Sequence, residues 1–150
     1  MKLAEALQER ADLNKVIQQL TDRIMSNTII QEGEAPDEAP EELMKSLDEA
    51  CERLEELIRR INLTNCETKT GEGTLTDLIA KKDVLRVRIE SYRNIASMAS
   101  QRNYRASGRE IKMLTTVNVS DIRSRIDEMS KDLRDTENLI QETNWLTELK

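Results

Sequence analysis

A cluster of cationic side chains is the strongest candidate for chemistry in this chain of 150 residues. Residues 81–112 hold nine Lys and Arg but only three Asp and Glu, although the whole chain carries a net charge of −6. Clustered arginines bind phosphate groups through charge-assisted hydrogen bonds, and a neighbouring tyrosine can stack on a nucleobase. The candidate anion-binding residues are Arg102, Tyr104, Arg105, Arg109 and Lys112.

The same cations have a second interpretation, in which they form ion pairs with carboxylates. Acidic residues gather in segment 32–42, and an up-and-down arrangement of helices would place that segment at the same end of the molecule. Exposed pairs of this kind contribute only about 0 to 1 kcal/mol each. The acidic overall charge also disfavours general binding of nucleic acid, so nucleic acid or a phosphorylated metabolite is the alternative ligand.

Ionisable residues also interrupt the apolar helix stripes described below. Arg10 and Lys82 occupy stripe positions, and Glu56 and Asp135 fall at about the same level along the predicted helices. A polar layer of this kind fixes register and partner orientation in coiled coils. We expect Arg10, Lys82, Glu56 and Asp135 to form such a layer, the alternative being a small polar cavity.

Several classes of catalytic site lack the residues that they require. The sequence has no histidine, whereas carboxylate-bridged metal centres in four-helix bundles use Glu-x-x-His pairs. Two cysteines are too few for a zinc site, and the four glycines match no phosphate-binding loop. We therefore expect no catalysis, no metal and no cofactor.

The expected compartment is the cytoplasm. With two cysteines only, a reducing environment is the default. No apolar stretch approaches the roughly 18 residues of a membrane-spanning helix, and the first residues lack the apolar core of a signal peptide.

Four segments repeat apolar residues at alternating spacings of three and four, the period of helices that pack along one stripe. In the second segment these positions are Leu43, Leu47, Ala50, Leu54, Leu57, Ile61 and Thr64. The spacing predicts helices over about 2–26, 41–68, 75–101 and 121–143. The expected fold is mainly all-α, an antiparallel four-helix bundle or a set of long helical hairpins, in a single domain spanning 1–150.

The connection after the third helix has a different period. Between Ile111 and Val119 apolar or β-branched residues alternate with polar ones, except at Leu114. Such alternation is typical of a strand. The sequence therefore predicts a small β-ribbon over about 110–119, which can pair with residues 28–31.

The predicted core is thin, because aromatic residues make up only 2% of the chain and phenylalanine is absent. We therefore expect a homo-oligomer, a dimer or higher. The sole tryptophan, Trp145, is the candidate interface residue, since aromatic side chains dominate interface energetics. The alternative is that Trp145 covers one end of the bundle, with its indole N–H donating to a carbonyl.

Several stretches resemble, in the same order, a known family. They are MKLAEALQERADL, RINLTN, DVLRVRIESYRNIASMASQR, EIKMLTTVNV and IQETNWLTEL. Together these stretches make the chain similar to a septicolysin-like family of small bacterial helical proteins. The resemblance implies a membrane-active, pore-forming or haemolytic protein, and it assigns no role to any residue.

The residues and their spacing favour an oligomeric, cytoplasmic helical protein that acts as a structural or interaction module without catalysis. The alternative function is anion binding through the basic segment after the third helix. A third function, membrane lysis, follows from the resemblance alone.

Overall fold

The computed structural model describes residues 1–101 and 113–150. Four long helices make up most of them: α1 (Leu3–Ser26), α2 (Pro40–Glu67), α3 (Leu75–Ala99) and α4 (Val119–Leu146). Two short strands, β1 (Lys69–Thr70) and β2 (Gly73–Thr74), pair as a two-stranded sheet between α2 and α3. The predicted all-α class is confirmed, and every predicted helix boundary lies within three residues of the observed one.

Local capping explains where the last two helices begin. Before α3, the Asp77 N–H donates to Thr74 Oγ1 at 3.2 Å, and the Thr74 N–H donates to Asp77 Oδ2 at 2.8 Å. This capping box satisfies two otherwise unpaired donors, and the hydrogen bond from the Thr74 backbone lowers the pKa of Asp77. Before α4, Asn118 Oδ1 accepts from the Asp121 N–H at 3.2 Å, which is why α4 begins at Val119 and not at residue 121.

The predicted position of the β-ribbon is wrong. Residues 113–118 and 28–31 form no strand, and residues 110–112 lie outside the described part of the chain. The ribbon lies instead at 69–74, where Gly73 has φ of 116°, a conformation that glycine adopts readily. Alternating residues do not make a strand without a hydrogen-bonding partner, and the Asn118 cap directs the following residues into a helix.

The chain divides into two compact units, and the first comprises residues 1–70 and 142–150. Its helices α1 and α2 run antiparallel, because Glu9 near the start of α1 pairs with Arg53 in α2, and Arg23 near the end of α1 pairs with Glu38 just before α2. Its buried side chains are Leu3, Ala6, Leu20, Leu43, Leu57, Ile61, Thr64 and Leu149.

Residues 1–3 and 147–150 form a clasp within the first unit. The Leu3 N–H donates to the Thr147 carbonyl, and the Leu149 N–H donates to the Met1 carbonyl, each at 2.9 Å. Lys2 forms an ion pair with Glu148 at 2.6 Å. The clasp is attached to α2 because the Lys150 N–H donates to Thr64 Oγ1 at 3.0 Å.

The second unit comprises residues 71–141, which include α3 and most of α4. Its two helices run antiparallel, because Ala96 near the end of α3 and Ile126 near the start of α4 line the same surface depression. Lys81 pairs with Asp132 at 2.8 Å. The buried side chains are Leu75, Leu78, Leu85, Ile89, Ala96, Ile122 and Thr136. The single domain inferred from the sequence stays a prediction.

The apolar stripes read from the sequence lie where they were expected. Every stripe position of α2, from Leu43 to Thr64, is buried or half-buried, and so are the two ionisable stripe residues, Arg10 of α1 and Lys82 of α3. A spacing of three and four residues therefore identified the packed side of each helix.

Two buried threonines differ in how their hydroxyls are bonded. Thr64 Oγ1 donates to the Arg60 carbonyl at 2.8 Å and accepts from the Lys150 N–H. Thr136 Oγ1 has no hydrogen-bond partner among the described residues. A buried hydroxyl without a partner destabilises the folded state, whereas a bonded one contributes to its stability.

We expect opposite effects from the same substitution at these two sites. Thr64→Val should lower the free energy of unfolding by about 1–2 kcal/mol, because it leaves the Lys150 N–H without its acceptor. Thr136→Val should leave it unchanged or raise it by up to about 1 kcal/mol. Urea denaturation followed by circular dichroism measures both values, and a clear destabilisation by Thr136→Val would contradict this account.

The clasp should also make stability depend on pH. The hydrogen bond from Lys2 lowers the pKa of Glu148 below its usual value of 4.5. The stabilisation is therefore complete above that value and is lost as the pH falls through the lowered pKa of the folded state. Glu148→Gln should be less stable than the parent protein near neutral pH, and the two should converge in acid.

The matched control is Glu128→Gln, since Glu128 is exposed on α4 and has no ion pair recorded within the described residues. Its urea midpoint should follow that of the parent protein at both pH values. A deficit of the Glu148 variant that stayed constant into acid would show that charge at Glu148 is not responsible.

Candidate functional site

Helix α3 carries apolar side chains on two sides. One side supplies buried residues such as Leu78 and Leu85, while the other exposes a row of large apolar side chains. The exposed fractions are 57% for Val84, 64% for Val87, 47% for Ile95 and 68% for Met98. This exposed row lies on the side of α3 away from its buried residues and is a candidate contact surface.

These residues lie on one face because of their spacing. Val84, Val87, Ser91, Ile95 and Met98 follow one another at intervals of three, four, four and three residues, which keeps them together on a helix with 3.6 residues per turn. We call this set the outer stripe of α3. Ser91 at its centre is exposed and small, so another backbone can approach closely there.

The outer stripe continues into a groove at the end of α3. Ile95 and Met98 line this groove of about 710 Å³ together with Met113, Leu114 and Val117 from the segment before α4. Met113 and Leu114 are largely exposed. The apolar surface therefore extends from Val84 past the end of the helix, over about 21 Å along α3 alone.

Charges of opposite sign border the two sides of the outer stripe. Because successive residues of a helix are rotated by about 100°, Arg88 lies on one side of the outer stripe, and Asp83 and Glu90 lie on the other. Within the described part of the chain, Arg88 and Glu90 have no recorded ion pair, and Asp83 pairs only with its neighbour Lys82, at 3.3 Å. A surface with an apolar centre and both signs of charge at its edges is suited to another protein surface.

A second exposed apolar surface surrounds Trp145. Its indole is 63% exposed and lines a groove of about 540 Å³ with Leu13 and Val16 of α1. The indole therefore does not cover the end of the helices as a buried plug. The role of Trp145 at an interface stays a prediction.

The carboxylates at the rim of this groove already have partners. Glu5 accepts from the Lys2 N–H at 2.7 Å, and Glu9 accepts from Arg53 Nε at 2.7 Å. Hydrogen bonds from Gln8 lower the pKa of Asp12. Each of these carboxylates therefore has a hydrogen-bond partner, and the accessible lining of the groove is mainly apolar.

The four residues of the predicted polar layer are divided between the two units. In the first unit, Arg10 is half-buried, and Glu56 pairs with Arg53 at 2.8 Å and with Arg60 at 3.6 Å. In the second unit, Lys82 is half-buried and Asp135 is exposed. A single layer of all four residues stays a prediction.

The sequence interpretation missed Arg53, which joins α1 to α2. Its guanidinium binds Glu9 across the helix pair and Glu56 one turn further along α2, and the hydrogen bonds from Glu9 and Glu56 raise the pKa of Arg53. The sequence did contain a signal for this ion pair. Arg53 and Glu56 are three residues apart and flank the stripe residue Leu54, so they are neighbours on one helix at the edge of its packed side.

The proposed anion-binding residues lie outside the described residues. They are Arg102, Tyr104, Arg105, Arg109 and Lys112. Across 1–101 and 113–150, no three His, Cys, Asp or Glu side chains are grouped so that they could hold a metal ion. In the same ranges, no helix combines the length and the apolar character needed to cross a membrane.

The comparison with known families places the chain in one of them. The model of a family of unknown function, DUF6847, matches residues 10–149. The chain belongs to the DUF6847 family. It is also similar to a functionally unknown conserved protein from Corynebacterium diphtheriae, whose crystal structure matches with a TM-score of 0.90 and 34% sequence identity over 100% of this chain and 99% of that one. Among curated proteins, no sequence matches this DUF6847 chain.

The septicolysin-like relationship suggested by the sequence is wrong. The matching family is DUF6847, and the similar crystal structure is of a functionally unknown protein. Heptad patterning restricts which residue types recur, so short helical stretches can look alike in unrelated families. The pore-forming activity that the resemblance implied therefore does not carry over to this DUF6847 protein.

The fluorescence of Trp145 reports on its groove alone, because the protein has no other tryptophan. We expect acrylamide to quench this emission in the folded protein nearly as well as in urea, since most of the indole is exposed. Stern–Volmer titrations in both states provide the comparison. Strong protection in the folded protein would mean that another molecule covers the groove.

Proposed function

We propose that this protein is a non-catalytic interaction module of the cytoplasm that self-associates through the outer stripe of α3. The observation that carries the proposal is the exposure of Val84, Val87, Ile95 and Met98 on a helix whose other side is buried. Exposed apolar side chains that are contiguous on a folded protein are a mark of interaction sites.

The composition of the buried residues supports the same proposal. Among the described residues, the buried apolar side chains are all Leu, Ile or Ala. Aromatic side chains, which bury about 150–250 Å² each, are the usual means of enlarging a core. A second copy that covers the outer stripe would increase the buried apolar surface without aromatic side chains.

The proposal of a non-catalytic role follows from where the ionisable groups lie. The buried polar side chains in the described ranges are two threonines, Thr64 and Thr136, and neither is ionisable. Catalytic acids and bases usually have pKa values perturbed by burial together with a charge partner. The pKa shifts among the described residues arise instead from hydrogen bonds at exposed or half-buried sites, such as Arg23 with Glu38.

The cytoplasmic location is part of the proposal and is supported by the thiols. Cys51 and Cys66 are both exposed, and neither forms a disulfide within the described part of the chain. Exposed thiols persist in reducing compartments.

Sedimentation velocity on single-charge variants tests self-association. We expect the parent protein to sediment as an oligomer at micromolar concentration, and Val87→Glu and Ile95→Glu to sediment as monomers, because each places a carboxylate in the centre of an apolar contact. Circular dichroism should show unchanged helix content, since both sites are exposed in the single chain.

The matched control is Met25→Glu on α1, where a comparably exposed apolar side chain lies outside the stripe. This variant should self-associate like the parent protein. A parent protein that is monomeric throughout the micromolar range would overturn the proposal, as would Val87 and Ile95 variants that associate normally.

A further inference from the structure

The arrangement of charges beside the outer stripe determines how two copies of α3 can pair. From the heptad positions along α3, we infer that two copies pair with their α3 helices parallel, so that Asp83 of each copy faces Arg88 of the other. This inference rests on the proposed self-association and adds its orientation and its contacts.

The heptad assignment follows from the exposed face. Val84, Ser91 and Met98 recur every seven residues at the first core position, a, and Val87 and Asn94 take the second core position, d. Asp83 and Glu90 then precede the a residues at position g, and Arg88 follows at position e. The g side of the stripe therefore carries Asp83 and Glu90, whereas the e side carries Arg88 and, one heptad further on, the apolar Ile95.

Parallel and antiparallel pairs use these charges differently. In a parallel pair, position g of one helix faces position e of the next heptad in the other helix, which brings Asp83 opposite Arg88 five residues further on. Two-fold symmetry repeats this contact, so a dimer contains two such ion pairs. An antiparallel pair places g beside g, which brings the acidic side chains of the two copies together and is unfavourable.

The partners of these charges in the single chain leave them available. The structure records no ion pair for Arg88 among the described residues, and Asp83 binds only the adjacent Lys82, through one contact at 3.3 Å. Neither side chain would have to break a contact between elements in order to pair with a second copy.

Asn94, which lies beside the outer stripe, fits the same orientation. Asn94 lies at a d position and lines the groove at the end of α3. In a parallel pair the two Asn94 amides lie at the same level, where one can donate to the other. Buried asparagines in coiled-coil seams fix register and oligomeric state in this way.

The groove provides a third reason for the parallel orientation. Met98, Met113 and Leu114 expose large apolar surfaces at the same end of the second unit. Parallel pairing brings the two grooves to one end of the dimer, where each can cover the other. Antiparallel pairing would separate them by the length of the stripe, about 21 Å.

Disulfide trapping tests the orientation directly. In a Cys51→Ser, Cys66→Ser background, the variants Val84→Cys, Ser91→Cys and Met98→Cys each present a single thiol on the stripe. A parallel pair places each residue opposite its own copy, so all three variants should form disulfide-linked dimers under mild oxidation. A matched control, Met25→Cys, should remain unlinked.

The outcomes separate the orientation from the self-association. Linking of Ser91→Cys alone would show an antiparallel pair that crosses near Ser91, because residues 84 and 98 would then lie about 21 Å from their own copies. That result would overturn the parallel pairing and leave self-association intact. An oligomer by sedimentation with no linking at any of the three sites would overturn the parallel pairing and move the interface away from the stripe. A monomer would overturn both proposals.

A charge exchange tests the inferred ion pairs. Asp83→Arg and Arg88→Asp should each weaken dimerisation roughly threefold to tenfold, because each replaces two attractive contacts in the dimer with repulsive ones. The double variant should recover most of the parent affinity, and the effects of the single variants should shrink as salt is raised. Single variants that leave the dimerisation constant unchanged, or a double variant weaker than both, would show that Asp83 and Arg88 do not meet across the interface.

Discussion

The scarcity of bulky apolar side chains limits how much surface each helix of this protein can bury. The sequence has no phenylalanine, and the buried apolar residues described are Leu, Ile and Ala. Burial of one Leu or Ile side chain stabilises the folded state by about 1.5–3 kcal/mol. Ordering the backbone of each residue costs about 1–2 kcal/mol of conformational entropy. Two helices that bury only one stripe of small and medium residues therefore have a small net free energy of folding. Each additional contact surface contributes a large share of that stability.

Polar contacts compensate for part of that limit by fixing geometry more than by adding stability. Arg53 binds Glu9 on the facing helix and Glu56 on its own helix, and in the second unit Lys81 binds Asp132 across α3 and α4. Exposed ion pairs of this kind add little free energy, but they discriminate between registers that a uniform seam of Leu and Ile would tolerate equally. The same division between an apolar centre and a charged edge recurs at the outer stripe, where the partner belongs to a second copy in our proposal.

The sequence predicted the helices and their packed sides, because spacings of three and four residues are a local property that survives any tertiary arrangement. It misplaced the β-ribbon, since the alternation near Thr115 carries no information about whether a pairing strand is available. It also missed the outer stripe. Val84 and Val87 stand among charged residues in the sequence, and only the packing of α3 shows that they lie on its exposed side. The bonding of Lys150 to Thr64 was likewise unpredictable, because it joins residues 86 positions apart.

The clasp has a consequence for the order in which the chain can fold. The first unit is discontinuous, since residues 142–150 complete a body that otherwise consists of residues 1–70, and the whole second unit is inserted between them. During synthesis α1 and α2 emerge early from the ribosome. The hydrogen bond from the Leu3 N–H to the Thr147 carbonyl can form only after residue 147 has been synthesised. Closing so long a loop is entropically costly and slow. We therefore expect the inserted unit to fold first. Its folding shortens the loop that must close before residues 142–150 can pack against residues 1–70.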